Sequence, residues 1–156
     1  LKSDRCFLPV ENRLEGTINV ALGTDCDASK NDSEMFSEMR IAALLAKAVI
    51  KDASALPASY ALRMATLNGA KALGIDAITG SLRKGKAADI TAVYLGDPET
   101  QPLYHPVSQL VYSCGRDKVT NVWVAGKQLL KDRALTTIDE KSVLSNTRAW
   151  RDNINS

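Results

Sequence analysis

The run Thr17-Ile18-Asn19-Val20-Ala21-Leu22-Gly23-Thr24-Asp25 decides how the rest of the chain is read. It is short, aliphatic and rich in β-branched residues, with no charge before its last position. Those features predict a buried strand over residues 17–23, ending in Gly-Thr-Asp. A polar loop from Thr24 to Asp32 follows. An aspartate at this place is open to two readings. It is a turn residue that caps a helix, or it is a carboxylate delivered to a site at the tip of a strand.

Working outward, Asn31 and Glu34 have the spacing of a capping box, and Ser33 is a further candidate cap. Met35, Met39, Ala42, Ala43, Ala46, Val49 and Ile50 then share one helical face. Pro57 opens a second expected helix, because a first turn tolerates proline. Its stripe is Leu62, Ala65, Gly69, Ala72 and Leu73, and Gly74 is the expected stop. From Gly80 the pattern turns to strands. Residues 88–94 alternate, and so do residues 119–124. Ala125-Gly126-Lys127 reads as a hairpin turn with Gln128 to Lys131 returning. Pro98, Pro102 and Pro106 mark a loop between the strands. Asp139 caps an expected terminal helix on which Val143, Leu144, Thr147 and Trp150 share a face. The expected division is 1–79, 80–138 and 139–156.

Composition narrows the function. Of 156 residues, 45% are hydrophobic and 24% charged, as in a globular protein able to bury a core. The net charge is +2, with bases and acids interspersed, so no nucleic-acid partner is expected. No apolar run approaches the ~20 residues of a membrane helix, and the first residues carry no secretory apolar region. No membrane partner is expected either. Cys6, Cys26 and Cys114 are an odd number at unrelated spacings. They fit no disulfide framework and suit a reducing cytoplasm, the expected location. No Cys-x-x-Cys pair offers itself to zinc.

The order of the blocks carries a resemblance. Asn19 to Asp25 is followed by Ala28-Ser29, Asn31-Asp32, Met35-Phe36 and Glu38-Met39-Arg40. This succession resembles the last barrel strand and following helix of amidohydrolases of the methylthioadenosine/S-adenosylhomocysteine deaminase type. Met64-Ala65-Thr66-Leu67-Asn68-Gly69-Ala70-Lys71-Ala72-Leu73-Gly74 is similar to the family's next helix. Gly80-Ser81-Leu82 and Gly85-Lys86-Ala87-Ala88-Asp89-Ile90 are similar to the return into its β-sandwich. Pro106-Val107-Ser108-Gln109-Leu110-Val111-Tyr112 and Val122-Trp123-Val124-Ala125-Gly126-Lys127 are similar to its closing strands. The resemblance implies an α/β fold: the last βα portion of a (β/α)8 barrel, the carboxy-terminal part of a small β-sandwich, and a terminal helix. It implies hydrolytic deamination of an adenosine-type purine nucleoside, with zinc or a similar divalent metal as cofactor. In that family the aspartate at the position of Asp25 is a metal ligand and handles the proton of the metal-bound water. A divalent metal lowers the pKa of its water from 15.7 toward ~7, and a nearby carboxylate can pass the proton on to departing ammonia.

The pattern also departs from the family. Its metal site uses a His-x-His pair and further histidines, whereas this chain has one histidine, His105, among Pro102, Tyr104 and Pro106. His105 is read as structural or merely exposed. A catalytic zinc needs three protein ligands and a water, so Asp25 alone does not make the site. A complete barrel takes ~250 residues. Cys26 and Asp27 follow the aspartate where small residues are customary, Lys30 replaces an asparagine, Ser33-Glu34 replace a hydrophobic-acid pair, and Asp4-Arg5-Cys6 replace small residues. Cys26 is read as a passive substitution, with no histidine near it in sequence to activate it. The chain alone is therefore expected to be inactive. Three alternatives follow. It is a piece of a deaminase, completed by an amino-terminal segment. It is a truncated, non-catalytic binding or structural module. Or it is part of a relative that acts on guanine, cytosine or triazines. Unclosed sheet edges and apolar helix faces predict a homo-oligomer or that complementing segment.

Overall fold

The computed structural model describes residues 18–25 and 33–154. These residues form two compact units. One takes the described residues up to Lys86 together with Leu95–Lys118; the other takes Ala87–Tyr94 and the residues from Val119 onward. The division does not follow the blocks 1–79, 80–138 and 139–156, because the excursion after the first strand of the sheet returns to the helical unit.

The helical unit is built from α1 (Met35–Ile50), α2 (Ala58–Met64), α3 (Leu67–Ala72) and α4 (Pro106–Tyr112). Its core is Met39, Ala43 and Ala46 of α1, then Ala55, Leu56, Ala58, Ala61, Met64 and Val111. Small residues let these helices approach closely, and Val20 and Leu22 pack onto the same cluster. Arg40 and Lys47, seven positions apart on α1, tie its neighbours down. Arg40 donates to the carbonyls of Val111 (3.3 Å) and Cys114 at the end of α4, where a cation also meets the negative end of the helix. Lys47 donates to the carbonyls of Ala55 and Leu56 (3.2 Å) and lies 5.8 Å from the Tyr112 ring centroid.

The excursion is closed by Lys118, which pairs with Asp97 (2.6 Å) and Glu99 beside the 3-10 turn Pro98–Thr100. These bonds raise the Lys118 pKa and lower that of Glu99. Further back, Lys86 donates to the carbonyls of Asp76 and Thr79 (3.0 Å), closing the loop that follows α3. Gly80 in that loop has φ +80°, and a Cβ there would stand 2.5 Å from Ala70 Cβ. Both conditions call for glycine.

The second unit is an antiparallel sheet in the order β1-β2-β3-β4. The strands are β1 (Ile90–Val93), β2 (Val119–Val124), β3 (Lys127–Lys131) and β4 (Ala134–Leu135). The hairpin turn expected at Ala125-Gly126 is present, with both residues at positive φ (49° and 79°), the twist that suits a two-residue hairpin. Ala125 is an unusual residue there. Its N–H donates to Asp89 Oδ1 at 2.7 Å, and the Gly126 N–H donates to the Ala88 carbonyl. The terminal helix α5 (Glu140–Ile154) also forms as expected, with Asp139 Oδ1 accepting from the N–H groups of Lys141 (3.0 Å) and Ser142 (3.3 Å). Every described residue of α5 is exposed, Val143, Leu144 and Trp150 included.

Several expectations are corrected. Residues 18–23, expected as a buried strand, make no ladder bonds among the described residues, and Ile18 is 51% exposed. The single helix expected from Pro57 to Leu73 is two helices, broken at Thr66 (φ −127°, ψ −94°). The break rotates the stripe, so Met64 and Ala70 are buried while Leu73 is 75% exposed. Val49 likewise faces solvent. Residues 106–112, expected as a closing strand, form α4, because Pro106 fits a first turn and only Val111 needs burial.

Two predictions follow from these contacts. Gly80→Ala should destabilise the chain by about 2–4 kcal/mol in urea unfolding, from left-handed strain and overpacking together; a change below the measurement error would contradict the contact. Because the folded-state pKa of Glu99 is depressed, its stabilising pair is present above the ordinary carboxylate value and is lost as pH falls through the lower folded value. An NMR titration should show Glu99 titrating below its ordinary value and moving up toward it in Lys118→Met.

Candidate functional site

The segment that carries Asp25 is held by polar bonds to the helices. Asn19 Nδ2 donates to the Asn68 carbonyl (2.8 Å), Asn68 Nδ2 donates to the Val20 carbonyl (2.8 Å), and the Leu22 N–H donates to the Met64 carbonyl (3.2 Å). Asn68 is 3% exposed and accepts at Oδ1 from Arg63 Nε (3.2 Å). The break at Thr66, whose hydroxyl donates back to the Leu62 carbonyl (2.7 Å), starts α3 anew one residue before Asn68.

Past these anchors the chain reaches Thr24 and Asp25. Asp25 is exposed and has φ 59°, a left-handed conformation that aspartate tolerates better than most residues. Thr24 Oγ1 donates to the Asp25 carbonyl (3.3 Å). Nine positions on from Asp25, the chain is pinned again at Glu34, which precedes α1. The capping-box expectation is replaced here. Asn31 lies outside the described residues, the helix starts after Glu34, and no side-chain cap bond is made at that position. The Glu34 carboxylate accepts from the Arg116 N–H at 2.7 Å. A Cβ on Gly115 would stand 3.2 Å from the same carboxylate. Nothing local in the sequence signals this link, which spans 82 positions.

Cys26, Asp27, Ala28, Lys30 and the Asp4-Arg5-Cys6 run lie outside the described residues. His105 precedes α4 as its exposed N-terminal neighbour, without a side-chain cap bond. Cys114 is buried and free, and burial pushes its thiol pKa up, which disfavours the reactive thiolate.

The match to known proteins is extensive. The model of the Amidohydrolase family aligns with residues 2–129. The chain belongs to the amidohydrolase family. It is 49% identical over 154 residues to a 5-methylthioadenosine/S-adenosylhomocysteine deaminase of Teredinibacter turnerae, covering 99% of this chain and 34% of that protein. A crystal structure of an adenosine deaminase from Xanthomonas campestris with bound zinc superposes with a TM-score of 0.89 at 50% identity, over 96% of this chain and 34% of the other. The zinc-complexed atrazine chlorohydrolase of Arthrobacter aurescens superposes with a TM-score of 0.83 at 29% identity, over 90% and 31%. The chain thus spans about a third of the length of the relatives it matches.

For an amidohydrolase the donor set bears on the metal. A catalytic zinc takes three protein ligands and keeps one position open. Among the described residues no three of His, Cys, Asp or Glu come together to hold an ion. No helix among the described residues is long and apolar enough to cross a membrane.

Glu34→Ala should speed hydrogen exchange of the Arg116 amide at least tenfold while leaving the β2–β3 hairpin amides unchanged. Equal protection of Arg116 in both proteins would contradict the link.

Proposed function

We propose that this chain is the carboxy-terminal part of a metal-dependent hydrolytic deaminase acting on adenosine-type nucleosides of the methylthioadenosine/S-adenosylhomocysteine kind. The observation that carries the reading is the 49% identity across nearly the whole chain to a protein of that name. The last portion of a (β/α)8 barrel, followed by part of a β-sandwich, is the architecture this reading assigns to residues 1–79 and 80–138.

Asp25 is the one residue of this chain to which the reading gives a chemical role. Its carboxylate would be a ligand to the divalent metal, zinc by preference, and would hold a proton on its way to the departing ammonia. The metal's contribution is to make hydroxide available at neutral pH. The other ligands and the groups that read the nucleobase belong to the two-thirds of the relatives' length that this chain does not span. An apolar stripe on α1, Ile41, Leu44, Leu45 and Val49, is exposed. It supports a covered state in the working protein, through a complementing amino-terminal segment or a second copy.

A chimaera tests the proposal. These residues replace the matching third of the Teredinibacter deaminase, and ammonia release is followed with methylthioadenosine, S-adenosylhomocysteine and a chlorotriazine. The zinc-loaded chimaera should deaminate the nucleosides and spare the triazine. Asp25→Asn should lower kcat at least 10³-fold and reduce bound zinc, and the isolated chain should release no ammonia. A folded, zinc-loaded chimaera that is silent on both nucleosides would reject the proposal.

A further inference from the structure

We infer that Asn68-Gly69 is a self-modifying site, a deamidation held off by the fold and released when α3 opens. It is the one Asn-Gly pair in the sequence. Glycine after asparagine leaves the next backbone nitrogen unshielded and free to turn toward the side chain. In the reaction the Gly69 nitrogen attacks Asn68 Cγ and forms a C–N bond. The Cγ–Nδ2 bond breaks, and Nδ2 departs as ammonia with the proton of the Gly69 N–H. Water then opens the five-membered imide. Opening at Cγ leaves an aspartate at position 68. Opening at the main-chain carbon leaves an isoaspartyl link, with the backbone routed through Cγ. Water is the only co-reactant.

The folded chain blocks each requirement. Asn68 Nδ2 donates to the Val20 carbonyl (2.8 Å), and Oδ1 accepts from Arg63 Nε (3.2 Å). Turning Cγ onto the Gly69 nitrogen breaks both bonds. The backbone must also leave its helical torsions, against the bond from Asn19 Nδ2 to the Asn68 carbonyl (2.8 Å). At 3% exposure the side chain meets little water. The block is local. A helix of six residues does not persist by itself, and α3 is held through its buried Asn68 and Ala70. Packing does not call for glycine at 69, as it does at Gly80. Gly69 is not left-handed, and the nearest described atom to a Cβ there would be the Met64 carbonyl oxygen at an ordinary 3.9 Å. Alanine would suit the helix better. What glycine supplies at this position is the reactive nitrogen. Modification then locks the opening in. An aspartate keeps the acceptor for Arg63 but sets an oxygen against the Val20 carbonyl. An isoaspartyl link adds a backbone carbon that α3 has no place for.

The 156-residue chain and, beside it, the chimaera test this, each shown to be folded in buffer by near-UV circular dichroism. Both are incubated in mildly alkaline buffer with and without urea, and peptide mass spectrometry follows amide loss and isoaspartate at each asparagine. In urea Asn68 should convert at least tenfold faster than Asn146, which precedes a threonine. Without urea, Asn68 should convert at least tenfold more slowly than with it. Asn19→Ala and Arg63→Met, which each remove one bond at Asn68, should speed its conversion in buffer at least threefold. Gly69→Ala should raise Tm and slow conversion in urea at least tenfold. Asn68→Asp, which stands for one product, should speed Leu22 amide exchange at least tenfold or fail to fold. Conversion of Asn68 in the folded protein at the urea rate, or in urea no faster than Asn146, would overturn the inference. Parental Leu22 protection in Asn68→Asp would overturn the lock.

Discussion

The reciprocal bonds between Asn68 and Asn19-Val20 are the constraint on which the described site depends. Residues 18–25 are tied to the helices by a few polar bonds. Buried hydrogen bonds of this sort contribute modestly to net stability but are expensive to break one-sidedly. They therefore specify the position of residues 19 and 20 more than they add strength.

The helical unit gives those bonds a firm base. Its core is mostly alanine with Met39, Leu56, Met64 and Val111, so backbones lie close and the helices have little room to shift. Arg40 binds carbonyls at the end of α4, and Lys47 binds those of Ala55 and Leu56 in the turn before α2, so charge satisfies backbone groups that small apolar residues cannot. Glu34 adds a third link, from the start of α1 to the Arg116 amide. Asn68 thus anchors the chain before Asp25, and Glu34 anchors it at the start of α1.

Local chemistry made part of this readable in the sequence. The hairpin at Ala125-Gly126 and the helix capped by Asp139 follow from turn and cap rules that act within a few residues, and both are present. The readings that failed depended on distant partners. The run ending at Gly23 has strand composition but no described ladder partner. Thr66 breaks a helix whose stripe looked continuous, and Asn68 then turns back onto a segment 48 positions away. Residues 106–112 are aliphatic enough for a strand, yet Pro106 and the carbonyl bonds from Arg40 favour a helix. At the candidate site, the role proposed for Asp25 rests on block order and resemblance. Asn68 and Glu34 were not legible, because their partners are visible only in three dimensions.

The central claim is that the carboxylate after this anchored segment is one corner of a metal site completed by other residues. A crystal structure of the zinc-loaded chimaera, with zinc located by its anomalous scattering, tests it most directly. The account predicts an Asp25 carboxylate oxygen at about 2.0–2.2 Å from the ion. A fully coordinated zinc with the Asp25 carboxylate outside its ligand shell would contradict it.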